Sequence, residues 1–260
     1  MNQQKILLFI PMYNCEKQIV RVLQQLIPSI GKYIDEVIVV DNGSTDQSRE
    51  KAQEIINNQN IDGRVVLNNE NYSLGGSHKV TFNYAIENGF DYVIVLHGDD
   101  QADIKDLLPY LESGEFSKYD SFLGSRFHPK SKLIGYSRFK IFGNHIVNWF
   151  CSIFVGKKIS DMGSGLNMYK VSFLKPKFYL PFDNNLTFNI YMLFWSIKNK
   201  SSIKYFPITW KEEDQVSNAK VFKQAFQILS MAVKMPVSSN KVFVKENKFS
   251  KIDYGFKKIA

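Results

Sequence analysis

Val93-Ile-Val-Leu-His-Gly-Asp-Asp-Gln-Ala-Asp103 is the stretch on which the reading of this chain turns. Its first residues form an apolar run without polar alternation, the kind of strand a parallel sheet buries on both faces. The run empties at once into imidazole and oxygen-bearing side chains. Open parallel sheets bind ligands at the carboxyl ends of their strands. His97, Asp99 and Gln101 alternate along the exit, so an extended backbone directs all three to one side. An imidazole, a carboxylate and an amide oxygen converging there suit a divalent cation such as Mn²⁺ or Mg²⁺, with Asp100 and Asp103 as further donors. The plainer reading is a polar loop that caps the next helix, with Asp103 as its N-cap.

Working back toward the N-terminus, strands alternate with helices. Lys5–Ile10 reads as a strand and Glu16–Ile27 as an amphipathic helix ended near Pro28. Glu36–Val40 is a second strand, followed by a helix from Asp46 to about Asn57 that Ser44-Thr45-Asp46 opens. Arg64–Leu67 is a third strand, Ser77–Asn88 a helix closed by Gly89, and Tyr92–Leu96 a fourth strand. This alternation predicts an α/β fold, a doubly wound and mostly parallel sheet with flanking helices. We expect one domain over residues 1–220 and an amphipathic, basic extension over 221–260.

Past Arg126 the texture changes. Between Phe139 and Val155 a helical face carries Phe142, Ile146, Trp149, Phe150 and Ile153, opposite Asn144, Asn148 and Ser152. Val221 to Lys234 repeats the design, with Phe222, Phe226, Leu229 and Val233 opposed to Lys223, Gln227 and Lys234. Packing against the sheet is the default for such helices; insertion at a lipid surface is the rival. Beyond Pro236, Lys241, Lys245, Lys248, Lys251, Lys257 and Lys258 face only Glu246 and Asp253, as a solvated tail or as a contact with an anionic leaflet, where each lysine is worth about 1 kcal/mol.

The 260 residues are 44% hydrophobic and 14% aromatic, enough for a substantial core, and carry a net charge of +8. That balance favours polyanionic partners: nucleotide diphosphates, phospholipid surfaces or nucleic acid. No nucleic-acid-binding pattern appears, so nucleic acid ranks last. Cys15 and Cys151 lack metal-ligand spacing and fit packing roles in a reducing compartment. With no signal-peptide core and no apolar run near the roughly 20 residues a span requires, we expect a cytoplasmic protein, soluble or resting peripherally on the membrane.

Four segments fall where successive strands end: Pro11-Met-Tyr-Asn-Cys-Glu16, Val39-Val-Asp-Asn-Gly-Ser-Thr-Asp46, Asn69-Glu-Asn-Tyr-Ser-Leu-Gly-Gly76 and His97–Asp103. Pro11 and Tyr13 give a stiff turn with an aromatic face for a base. Asp41 closes an otherwise apolar strand and can accept from a ribose or a base edge, or else form an Asx turn with Gly43. Gly75 and Gly76 permit close approach of backbone N–H groups to a diphosphate. A dinucleotide-binding dehydrogenase would need a Gly-rich turn after the first strand, and Pro11–Glu16 contains no glycine. In order and spacing these motifs resemble the family 2 glycosyltransferases of GT-A fold, nearest to the polyprenyl- or dolichyl-phosphate sugar transferases, over about residues 5 to 220.

The resemblance implies that Pro11, Tyr13, Glu16, Asp41 and Asn42 line a nucleoside pocket. The family's Asp-x-Asp becomes His97-Gly-Asp99 here, so the implied metal rests on Asp99, supported by Gln101 and His97 and completed by sugar-diphosphate oxygens. Arg126 matches the family's phosphate-contacting arginine, and Asp161-Met-Gly-Ser-Gly165 its acceptor-side Asp-x-x-Ser-Gly. Pro207–Lys220 stands in place of the closing loop; Lys220 is retained, while Glu212, Glu213 and Asp214 make that loop acidic. Those acids are either bases, Glu213 or Asp214 foremost, or caps of a following helix. The implied activity is inverting transfer of a sugar from a UDP- or GDP-sugar to a membrane-associated acceptor, a polyprenyl phosphate or a lipid-linked glycan. Asp161 or the 212–214 acids would serve as base for a hydroxyl acceptor. The alternative is a non-catalytic nucleotide-sugar-binding scaffold of a polysaccharide-synthesis complex, for which His97 is the main support.

Overall fold

A computed structural model describes residues 4–58, 62–214, 221–243, 249 and 251–258. Its first half runs β1 Ile6–Met12, α1 Gln18–Gln24, α2 Pro28–Gly31, β2 Glu36–Asp41, α3 Ser48–Asn58, β3 Gly63–Asn68, α4 Ser73–Glu87 and β4 Tyr92–Leu96. There follow α5 Leu108–Ser113, β5 Ser121–Ser125, β6 Lys132–Ile134, α6 Arg138–Val155, β7 Leu166–Lys170 and α7 Val171–Leu174. The chain continues through α8 Phe188–Lys198, β8 Ile203–Pro207, β9 Thr209–Lys211, α9 Val221–Phe243 and β10 Phe256–Lys258.

Eight strands make one sheet in the order β10-β3-β2-β1-β4-β7-β5-β8. β1, β2, β3 and β4 are mutually parallel, as are β5 and β8. β7 runs antiparallel between β4 and β5, and β10 antiparallel to β3. Every residue of β1, β4 and β5 is buried, as expected of strands covered on both faces. Leu7 and Phe9 of β1 join the core under α4 and α8, while Ile6, Leu8 and Ile10 join Ile19 and Val22 of α1 on the other side. Because β2 and β4 flank β1 on opposite sides, the crevice at its carboxyl end is a topological switch point, where such sheets take their ligands.

Some expectations shift. The Glu16–Ile27 helix is shorter, Gln18–Gln24, and Pro28 begins a separate turn as its first residue. α4 begins at Ser73, so Gly75 and Gly76 lie inside its first turn and not in the preceding loop. The end of the tail is not free in solvent: Phe256–Lys258 adds a strand to the sheet. Lys245 and Lys248 lie outside the described residues. The apolar face of α6, for which packing was the default, points outward, with Phe142 and Trp149 each 65% exposed. Among the described residues no helix is long and apolar enough to cross a membrane.

Candidate functional site

The loops after β1 and β2 are tied together. Asn14, at φ 47°, donates its N–H to Ser44 Oγ (3.0 Å) and accepts from Thr45 N at Oδ1 (2.8 Å). Asparagine tolerates that left-handed backbone better than most residues. Pro11 is buried beneath this junction and Tyr13 is exposed beside it. Glu16 accepts from Gln47 N and approaches Lys51 at 4.0 Å. Asp41 is fully buried; its Oδ1 accepts from Ser44 N (2.8 Å) and its Oδ2 meets Arg49 Nη2 at 2.6 Å. A turn contact therefore forms at Asp41, to Ser44 and not to Gly43. Arg49 escaped the sequence reading, although an arginine in a helix's first turn, where the dipole disfavours it, signals a nearby carboxylate.

Asn42 is a brace, not an open donor. Its Oδ1 accepts from Asn68 Nδ2 and Tyr72 N, and its Nδ2 donates to Asn71. The two glycines are likewise spent on protein. Gly75 N–H donates to Asn184 O, and a Cβ there would lie 2.7 Å from Phe188 Cβ. A Cβ on Gly76 would lie 2.2 Å from Tyr72 Cβ. The close approach these glycines permit is to residues 183–188 and Tyr72, so the Gly75 amide is not free for a diphosphate.

At the exit of β4, Gly98 N–H donates to Pro11 O, and any Cβ at 98 would meet that oxygen at 2.8 Å. His97 N–H donates to Gly165 O (2.9 Å), and its ring lies against Gly165. Nε2 of His97 is buried without a hydrogen-bond partner among the described residues. Burial lowers the His97 pKa, opposed by Asp99; burial raises that of Asp99, opposed by His97. Asp99 Oδ1 accepts from Gln101 N (3.2 Å). Asp100, at φ 57°, is engaged elsewhere, by Arg21 (2.5 Å) and Gln25 (2.9 Å). Asp103 caps the turn 104–107 through Lys105 N (3.0 Å), as the plainer reading had it. Among the described residues no three His, Cys, Asp or Glu side chains gather to hold a metal. One half-buried carboxylate beside an orphaned imidazole nitrogen fits a cation that takes most of its shell from substrate oxygens.

β7 brings the Asp161–Gly165 segment in. Leu166 pairs with Leu96, which sets Asp161–Gly165 alongside His97 and the end of β5. Asp161 accepts from Arg126 Nε (2.8 Å), Nη2 (2.7 Å) and backbone N (2.8 Å), and from Gly163 N (3.0 Å). Burial would raise this carboxyl, but the charge and hydrogen bonds of Arg126 hold it below the usual carboxylate range. The guanidinium lies 5.0 Å from the Trp210 ring, and its Nη1 reaches Tyr136 OH (3.3 Å).

The acidic loop divides its charges. Lys211 N–H donates to Gln101 O, so β9 crosses beside the β4 exit. Glu212 pairs with Lys140 (2.5 Å) and Asp214 with Arg21 (2.8 Å), while Glu213 is exposed. The hydrogen bond from Arg21 keeps the Asp214 carboxyl below its ordinary value. Neither Glu212 nor Asp214 caps a helix in the described residues, and Lys220 lies outside them.

Comparisons with known proteins agree with this geometry. The family model described as glycosyl transferase family 2 matches residues 8–176. A dodecaprenyl-phosphate galacturonate synthase of Rhizobium johnstonii is 24% identical over 179 residues, 65% of this chain and 48% of that protein. The chain thus spans about half the length of that relative. An uncharacterised protein of Methanocaldococcus jannaschii is 27% identical over 177 residues, 64% of this chain and 72% of its own. Among solved structures, glucosyl-3-phosphoglycerate synthase from Mycobacterium tuberculosis with UDP superposes at a TM-score of 0.64 and 15% identity, covering 98% of this chain and 87% of that one. The same synthase with Mn²⁺ and UDP-glucose gives 0.61 at 16% identity, covering 93% and 79%. With the motifs ordered along a GT-A sheet and the family model spanning more than half of its length, the chain belongs to glycosyltransferase family 2.

Proposed function

We propose that the chain transfers a sugar, with inversion, from a nucleotide-diphosphate sugar to a membrane-associated acceptor whose attacking atom is a phosphate oxygen of a polyprenyl-type lipid. One observation carries the reading: Asp41, the His97–Asp99 pair and the Arg126–Asp161 pair meet at one edge of the sheet, around its switch point. Pro11, Tyr13, Glu16 and Asp41 line the nucleoside end, with Arg49 fixing the Asp41 carboxylate. Asp99, His97 and Gln101 would hold Mn²⁺ or Mg²⁺, which when bound offsets negative charge on the departing nucleoside diphosphate. The structural relative solved with Mn²⁺ and UDP supports a UDP donor, and the galacturonate synthase, named for a dodecaprenyl phosphate, supports a lipid phosphate acceptor.

Asp161 serves in this reading as a positioning residue. A carboxylate filled by four donors and held low is a poor base near neutral pH. A phosphate with a second pKa of about 6 is already anionic and needs none. Lys220 remains a proposed phosphate contact. Residues 1–220 carry the chemistry, and residues 221–260 are the amphipathic, basic extension.

The test is a melting-temperature screen of UDP and GDP, each with and without Mn²⁺ or Mg²⁺. Ligand at about a hundred times its Kd adds about 2.7 kcal/mol to stability, or about 5–10 °C for a chain of this size. We expect such a shift for one nucleotide and only with metal. No shift with any nucleotide and metal contradicts the donor assignment.

A further inference from the structure

α6 is built inside out. Phe139, Phe142, Ile146, Trp149 and Ile153 recur three and four residues apart, and all are exposed. The side facing the protein mixes polar groups with Val147, Cys151 and Phe154. Asn148 is buried and donates to Ser160 O (2.9 Å), Asn144 donates to Tyr136 OH (3.1 Å), and Ser152 Oγ accepts from Ile159 N (2.9 Å). α9 packs along α6 and exposes Phe226, at 77%, with Val233 and Val237. A continuous exposed apolar stripe of this kind marks an interaction surface.

Charge identifies what covers it. α6 and α9 together contain no Asp or Glu. Arg138 and Lys140 open α6, and Lys157 and Lys158 follow it. A cleft lined by Lys234, Lys241, Gln227 and Tyr191 opens beside Phe226. A second copy docked on this face by two-fold symmetry would bring the basic rims together. An aromatic apolar stripe on helices whose only charged side chains are cations, Lys140 alone of them being paired among the described residues with an acid across the edge, Glu212, matches the interface of an anionic bilayer.

We propose that α6 seats this face on an anionic lipid bilayer, its stripe entering the headgroup–acyl boundary. The seat bears directly on the site, because the inner side of the same helix, a body about 10 Å across, holds the acceptor end. Asn144 fixes the Tyr136 hydroxyl that Arg126 contacts, and Asn148 holds the Ser160 carbonyl beside Asp161. Resting on the acceptor reading above, the seat delivers a lipid headgroup to the Arg126–Asp161 edge.

The experiment is co-sedimentation of the full chain with phosphatidylcholine vesicles, with and without phosphatidylglycerol, for the wild type and for F142E/W149E. Both side chains are exposed, so the melting temperature should hold. We expect binding to the anionic vesicles that weakens with salt, a blue shift of Trp149 fluorescence on binding, and about a hundredfold loss of affinity in the variant. Absence of sedimentation, or equal sedimentation of both proteins, overturns the proposal. So does a wild-type dimer by light scattering that F142E/W149E converts to monomer, for then a second copy covers the face. Vesicle binding without nucleotide binding leaves the seat standing and removes the donor assignment instead.

Discussion

Asp161 accepts from three N–H groups of Arg126 and one of Gly163, with both side chains withdrawn from water. Breaking a buried pair from one side strands the other charge, at a typical cost of about 3–5 kcal/mol, whereas replacing both partners by apolar groups is often near neutral. Asp161→Asn should therefore destabilise the protein by about 3 kcal/mol or more in urea unfolding, and Arg126→Met/Asp161→Leu by less than the single change. The pH dependence follows the depressed carboxyl. Its stabilisation is present above the ordinary Asp value of about 3.9 and is lost as pH falls through the lower folded value. Wild type should then lose stability on acidification more steeply than Asp161→Asn. Comparable, small losses in both variants would contradict the account. The sequence marked Asp41 and Asp99 because each ends or follows an apolar run, and Arg126 and Asp161 through the resemblance of their motifs. It did not show that Arg49 and Arg21 hold Asp41 and Asp100: the first pair closes within the β2–α3 connection, and the second forms only when α1 meets the β4 exit.

Among the elements, α6 and β10 separate what periodicity can and cannot tell. A repeat of 3.6 residues fixes which side chains share a face, but which face turns inward depends on what the neighbours demand. Around α6 they demand polar partners, for Ser160 O, Ile159 N and Tyr136 OH. The tail offered only scattered lysines, and the β3 edge that captures it lies far away in sequence. Tyr254 is buried there; its hydroxyl accepts from Lys79 Nζ (3.1 Å) and donates to Asn184 Oδ1 (2.8 Å). Burial lowers the Lys79 pKa to about 7, so each oxygen around that nitrogen matters. A chain ending at Asp253 should lose about 2–4 kcal/mol in urea unfolding, from an emptied aromatic site and a lost hydrogen bond. Unchanged stability would show that β10 and Tyr254 are ornaments on the sheet edge.

On the scale of the whole molecule, β1, β2 and β4 were legible because Ile-Leu-Leu-Phe-Ile, Val-Ile-Val-Val and Val-Ile-Val-Leu have few alternatives to burial on both faces. The reversal at β7 was not. Leu166-Asn-Met-Tyr-Lys170 is short, and its partners lie some seventy residues before it and forty before it on β4 and β5. Yet that reversal is what carries Asp161–Gly165 to His97 and joins the proposed donor end to the proposed acceptor end. The joined cleft is the central claim, and metal-dependent donor turnover reads it most directly. Purified full-length protein with Mn²⁺ and a panel of UDP- and GDP-sugars should release nucleoside diphosphate from at least one donor. Asp99→Asn should slow that release by about a thousandfold. Release that proceeds equally well in Asp99→Asn, or none from any donor with metal present, would contradict the claim.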